Sequence, residues 1–140
     1  MKKTLLILVS LVALNAGEMA EDGYTGLTWQ DNTDVKDNQV TYKEAYEYCK
    51  ELKLGGYEDW RVPHINELIT LVSYSKYKPA ILTGFNFVED NFYWSSTRFK
   101  NNFSKNWGVD FRDGTVEPNG RSYDRRVRCV RTTNPKKAKK

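Results

Sequence analysis

Five arginines, Arg121, Arg125, Arg126, Arg128 and Arg131, crowd one short stretch near the C-terminal end, with Lys100, Lys105 and Arg112 shortly before it. Guanidinium forks match the geometry of sulfate, phosphate and carboxylate groups, so the expected chemistry is recognition of an anion. On a strand, Arg126 and Arg128 share the outward face, and Arg112, Arg121, Arg125, Arg126 and Arg128 form the expected polyanion-binding set. The alternative is that these arginines pair with acidic residues elsewhere and serve solubility.

Other reactive residues lead nowhere as clearly. His64, the single histidine, makes an i, i+3 pair with Glu67, but zinc needs three or four ligands and no others cluster there, so no metal site is expected. Ser95 and Ser96 lack the glycine-flanked elbow and the neighbouring base of a nucleophile. No catalytic residue, cofactor or enzymatic activity is expected. Trp60-Arg61-Val62-Pro63 reads as a fixed turn into a helix, with Arg61 paired to a carboxylate; a pocket for glycans or anions is the alternative.

The whole chain carries a charge asymmetry. From Glu18 to Thr97 there are 7 Lys/Arg against 14 Asp/Glu, whereas from Arg98 to Lys140 there are 13 against 4. Such polarity suits a polyanionic partner or docking to an acidic surface. The length, 140 residues, fits one domain. Mean hydropathy is −0.70, yet 4 Trp, 9 Tyr and 6 Phe set the chain apart from a disordered one.

Lys2 and Lys3 precede an apolar run from Leu5 to Leu14, too short to span a bilayer and matched to a signal-peptide core. Residues 1–16 are therefore expected to be removed, with cleavage after Ala16 or, second, after Ala20; an uncleaved anchor is the alternative. Export to the periplasm, cell surface or medium follows, with no transmembrane span in the mature chain and no nucleic-acid partner. In an oxidising compartment Cys49 and Cys129, 80 positions apart, are expected to pair, a bridge worth about 4–5 kcal/mol. Two separate buried thiols are the other reading.

The elements that position these residues follow from pattern. Gly26 to Gln30 alternates as a half-buried strand. Thr41 and Glu44 spell a capping box, and Tyr42, Ala45, Tyr46, Cys49 and Leu52 form one helical face ending at Gly55-Gly56. After Pro63, Ile65, Leu68, Ile69 and Val72 mark a second amphipathic helix. Residues 73–91 read as an irregular connection from which Phe85 and Phe87 reach the core. Strands follow at Tyr93–Thr97, Trp107–Phe111 and Thr115–Glu117, with turns at Asp113-Gly114 and Asn119-Gly120. Arg126–Arg131 is the last strand, and residues 132–140 form a basic disordered tail. The order is an α+β pattern.

Gly26-Leu27-Thr28-Trp29-Gln30, Tyr48-Cys49, Leu54-Gly55-Gly56-Tyr57, Asp59-Trp60-Arg61-Val62-Pro63, Asn66-Glu67-Leu68, Tyr93-Trp94-Ser95-Ser96-Thr97 and Val127-Arg128-Cys129-Val130-Arg131 together resemble the Lcl C-terminal domain family, over residues 23–131. The resemblance implies a C-type-lectin-like fold, with first and last strands adjacent, two flanking helices, and Trp29, Trp60, Arg61, Pro63 and Trp94 as structural motif residues. It implies bacterial envelope proteins, some adhesin-like. Mannose-binding C-type lectins use a Glu-Pro-Asn triplet to hold calcium, and Glu117-Pro118-Asn119 has that composition. Calcium needs several oxygen ligands, and the cationic segment that follows repels it. The expected function is thus an exported lectin-like or adhesin-like module engaging anionic glycans or envelope polymers. A protein-interaction or structural subunit is the alternative, and a relative of formylglycine-generating oxidases the remote one.

Overall fold

A computed structural model describes residues 18–138. The apolar run and the cleavage position after Ala16 lie outside the described residues. Two three-stranded antiparallel sheets and a few short helices make an α+β domain.

The first sheet gathers the first and last strands of the described residues around a middle one. Its middle strand, β2 (Leu27–Gln30), pairs on one side with β1 (Met19–Asp22) and on the other with the last strand, β6 (Val130–Thr132). All four β2 residues are buried rather than alternating, because both neighbours and both faces are covered. β1 carries no alternating signal and escaped the sequence pattern. Cleavage after Ala20 would divide β1, whereas cleavage after Ala16 would leave it whole.

A single turn, α1 (Asp34–Asp37), leads to α2 (Tyr42–Glu51). Thr41 Oγ1 accepts the Glu44 N–H and Glu44 answers at the Thr41 N–H, the reciprocal box expected of this sequence. Tyr42, Ala45 and Cys49 face the core. Tyr46, assigned to the same face by spacing, is instead exposed. The next helix, α3 (Ile65–Ile69), is shorter than its pattern suggests. The chain leaves it to form a bridge between Val72 and Ile81, yet Ile65, Leu68, Ile69 and Val72 all still pack into the core.

Residues 73–91 are irregular, and Asp31 holds them. Its carboxylate accepts the Asn86 and Phe87 N–H groups at 2.8 and 3.0 Å, and Phe85 and Phe87 pack against the core.

The second sheet is β3 (Phe92–Arg98), β4 (Lys105–Asp110) and β5 (Thr115–Gly120), with β4 in the middle. Gly114, at φ 87°, closes the β4–β5 hairpin. Asn119-Gly120, expected as a turn, instead lies in β5 opposite Asn106 and Lys105. The reversal begins at Arg121.

The expected Arg126–Arg131 strand is replaced by a crossing segment. Arg125 bridges Val40, Arg126 bridges Tyr93 of β3, and regular pairing resumes only at Val130. The segment therefore passes between the sheets rather than lying within one. Cys129, on this segment, is bonded to Cys49 of α2 with a Cα–Cα distance of 5.6 Å.

The tail is also more ordered than expected. Thr132 belongs to β6, the Thr133 and Asn134 N–H groups donate to Gly26 O at 2.8 and 2.9 Å, and Pro135–Ala138 forms a helical turn, α4. Gly26, at φ 74°, permits this docking: a β-carbon there would sit 2.6 Å from Asn134 O.

The motif residues serve this frame. Trp29 and Trp94 are fully buried, and the Trp60 and Trp94 indole N–H groups donate to Leu54 O and Val40 O. Arg61 forms a two-pronged pair with Glu67 at 2.7 and 2.8 Å, and Pro63 is buried beside it, its carbonyl accepting the Ser96 N–H.

Candidate functional site

The five arginines of the expected set separate into two kinds. Arg126 and Arg128 do not face outward: they are 7 % and 1 % exposed. Arg128 donates to Gln30 O at 2.7 Å, Phe87 O at 2.6 Å and Asp31 Oδ1 at 3.3 Å, with its guanidinium 4.4 Å from the Phe85 ring centroid. Burial pushes the Arg128 guanidinium below its ordinary value, opposed by Tyr93 and Asp31. Arg126 donates to Lys36 O. A strand with one wet face would have exposed both; a segment crossing between layers has no wet face. Arg131 also belongs to the frame, gripping Asp59 at 2.7 and 3.1 Å over the Tyr57 ring. Its hydrogen bonds hold the Asp59 carboxyl below the usual range.

Arg112, Arg121 and Arg125 do reach the surface, but not together. Arg121 follows β5 at Gly120, whereas Arg112 lies in the hairpin turn at the opposite end of β4 and β5. Around Arg121 three segments meet. Its N–H donates to Ser104 O at 2.9 Å, and its carbonyl accepts the Tyr42 N–H at 3.0 Å. Its guanidinium lies 4.8 Å from the Tyr42 ring centroid. The result is an open depression of about 430 Å³ lined by Thr41, Lys43, Ser104, Arg121 and Ser122.

Two further cations lie outside this lining, on neighbouring segments. Arg98, opposite Asn106 in β3–β4, stacks 5.6 Å from the exposed Phe103 ring. Arg125 stacks 5.2 Å from Tyr123 and donates to Asp124 O. Burial raises the Tyr42 phenol, opposed first by Arg121, then by the Asn106 side chain and least by Arg98. Among the described residues, neither Lys43, Arg98, Arg121 nor Arg125 is within ion-pair distance of a carboxylate. The Thr41 and Ser104 hydroxyls donate to Glu44 Oε1 and Asn102 Oδ1, so Lys43, Arg121 and the Ser122 hydroxyl are the groups that can bind an anion here, on a surface open enough for a long polymer to extend. Lys43, Thr41, Arg98, Ser104 and Ser122 were not legible as site residues, because they come from separate parts of the chain. The one available signal was the Thr41 cap, which fixes where Lys43 begins its helix.

The remaining motifs take structural places. The His64 N–H donates to Glu67 Oε1, and its ring Nδ1 lies 3.1 Å from Ser96 Oγ. Ser95 Oγ donates to Trp107 O, and Thr97 Oγ1 accepts the Ile65 N–H. Glu117 is exposed on edge strand β5, and no group of three or more His, Cys, Asp or Glu gathers among the described residues. A separate cleft of about 600 Å³ lies between Tyr24, Thr25, Leu27, α3 residues Asn66 and Glu67, Thr70 and Lys137 of the tail.

A small disulfide-bonded α+β domain, in which β1 and β6 flank β2 rather than lie adjacent as expected of the first and last strands, and which carries an open cationic surface, defines the structural class. The model of the Lcl C-terminal domain matches residues 18–131, so the match starts ahead of residue 23 and takes in β1. The chain belongs to the Lcl C-terminal domain family. Comparison with curated proteins gives no match. No helix among the described residues is long and apolar enough to cross a membrane.

Proposed function

We propose that the protein is an exported, lectin-like or adhesin-like binding module on a C-type-lectin-like plan, and that it engages anionic glycans or envelope polymers through the surface around Arg121. The observation that carries this reading is that Arg121 and Lys43 line one open depression with Ser122 and, among the described residues, neither cation is within ion-pair distance of a carboxylate. Export is proposed from the N-terminal apolar run and is compatible with the Cys49–Cys129 bond. The same bond favours binding over oxidase chemistry, because neither cysteine is left as a reactive thiol.

The test is retention of the oxidised protein on dextran sulfate under a salt gradient, with and without a calcium chelator. Wild type should elute late and ignore the chelator. Lys43→Ala/Arg121→Ala should elute at clearly lower salt, because phosphate- and sulfate-type contacts are screened. Retention no stronger than that of a protein of equal charge would sink this reading.

The second reading, a protein-interacting envelope subunit, draws on the 600 Å³ cleft, where Tyr24 is 91 % exposed. It predicts a stoichiometric partner whose contact tolerates salt.

A further inference from the structure

The cations left over by the Arg121 site are not scattered. At the far end of the β4–β5 hairpin, the Lys78 N–H donates to Arg112 O at 2.8 Å, and the Ala80 N–H donates to Phe111 O at 2.7 Å. The 73–91 connection is thereby sewn to the hairpin turn. Lys78 takes φ 47°, in the left-handed region that residues other than glycine seldom occupy. Its ammonium lies 5.3 Å from the Tyr77 ring centroid. Tyr74 and Tyr77 are 74 % and 65 % exposed, and Lys76 and Arg112 are exposed beside them. Two acids stand close in sequence: the Asp113 carboxylate accepts the Thr115 N–H and hydroxyl at 3.0 and 2.7 Å, and the Asp110 carboxylate accepts the Arg112 backbone N–H at 2.9 Å. Among the described residues, Lys76, Lys78 and Arg112 are within ion-pair distance of no carboxylate.

Both ends of one hairpin thus carry cations beside aromatic rings, the Tyr42 ring under Arg121 being buried and the Tyr77 ring under Lys78 exposed. The six residues of β5, at about 3.4 Å each, separate them by roughly 20 Å. Between the two ends, on edge strand β5, stands the exposed carboxylate of Glu117. A stiff polyanion laid along this edge from Arg121 to Arg112 would pass over that like charge.

We propose that the Lys76/Lys78/Arg112 surface is a second polyanion-binding site, which takes a different polymer chain from the one held at Arg121, so that one copy of the protein bridges two anionic chains. The inference rests on the proposed binding function and extends it from attachment to cross-linking.

The test measures light scattering when the oxidised protein is titrated with long-chain dextran sulfate, alongside retention on a dextran sulfate column. Wild type should scatter strongly near equivalence and clear in excess polymer, as each chain then claims its own protein. Lys78→Ala/Arg112→Ala should stay bound to the column at moderate salt yet lose at least about fivefold in scattering. A variant with equal charge loss elsewhere, Lys53→Ala/Lys136→Ala, should scatter within about twofold of wild type. Equal loss in both variants would overturn bridging, because net charge alone would then explain the scattering. Strong scattering by Lys78→Ala/Arg112→Ala would also overturn it. Column retention by wild type without scattering would refute bridging alone, whereas absence of retention would refute the binding function with it.

Discussion

Arg121 and Arg128 stand seven positions apart in one basic stretch and serve opposite ends. Arg128 is 1 % exposed and ties β2, the 73–91 connection and the crossing segment together. Arg121 keeps its guanidinium at the rim of an open depression, resting on an aromatic ring. The difference lies in what surrounds each, not in the side chain. Where the backbone passes between two sheets, an arginine can be kept only if carbonyls and a carboxylate satisfy it, since a buried unpaired charge is very costly. Where the backbone turns at a sheet end, the same group stays hydrated and available. Sequence density of arginine therefore measures neither surface charge nor ligand affinity in this domain.

The largest effects are expected on the buried side. Cys49→Ser/Cys129→Ser removes the bond between α2 and the crossing segment and should cost about 4–5 kcal/mol, read as a large drop in the denaturant midpoint. Arg128→Ala should cost about 3–5 kcal/mol, because it strands the Asp31 carboxylate without its cation. Arg128→Met should cost less than Arg128→Ala, since it fills more of the space. If both Arg128 variants unfold like wild type, the ion pair is not part of the frame.

Acid offers a milder test of the frame. Burial works against the Glu67 carboxylate, but the Arg61 hydrogen bonds, the His64 N–H and the positive charge of Arg61 win and hold it below its ordinary 4.5. A carboxyl depressed in the folded state adds stability that is present above its unfolded value and lost as pH falls through the folded one. The gap in stability between wild type and Glu67→Gln should therefore be largest above about pH 5 and shrink towards pH 3. Denaturant midpoints across that range would check it, and a constant gap would remove the ion pair from the account.

On the exposed side, Lys43→Ala/Arg121→Ala should cost about 1 kcal/mol or less in stability while moving elution to lower salt. Smallest of all, Glu117→Gln should raise the salt needed for elution slightly, by relieving repulsion midway between the two cationic ends.

Much of the frame was legible because it is written locally. The Thr41/Glu44 box, the Ile65–Val72 spacing and the Asp113-Gly114 turn each depend on neighbours a few residues away, and each is present. What escaped depends on distant partners. Nothing near Arg128 announces Asp31, 97 positions earlier, although its place between Val127 and Cys129, both core residues, hinted that the segment had no wet face. The tail reads as free chain until Gly26 is seen to admit Asn134. The Arg121 depression draws on α2, the loop before β4 and the turn after β5, so no window of sequence contains it.

The most direct measurement is a side-by-side comparison of Lys43→Ala/Arg121→Ala and Arg128→Met, each taken through dextran sulfate retention and denaturant unfolding. The account predicts a crossed result: the first variant loses retention and keeps its stability, while the second keeps retention under native conditions and unfolds at lower denaturant. If Arg128→Met loses retention while still folded, or Lys43→Ala/Arg121→Ala binds like wild type, the division between structural and ligand-facing arginines is wrong.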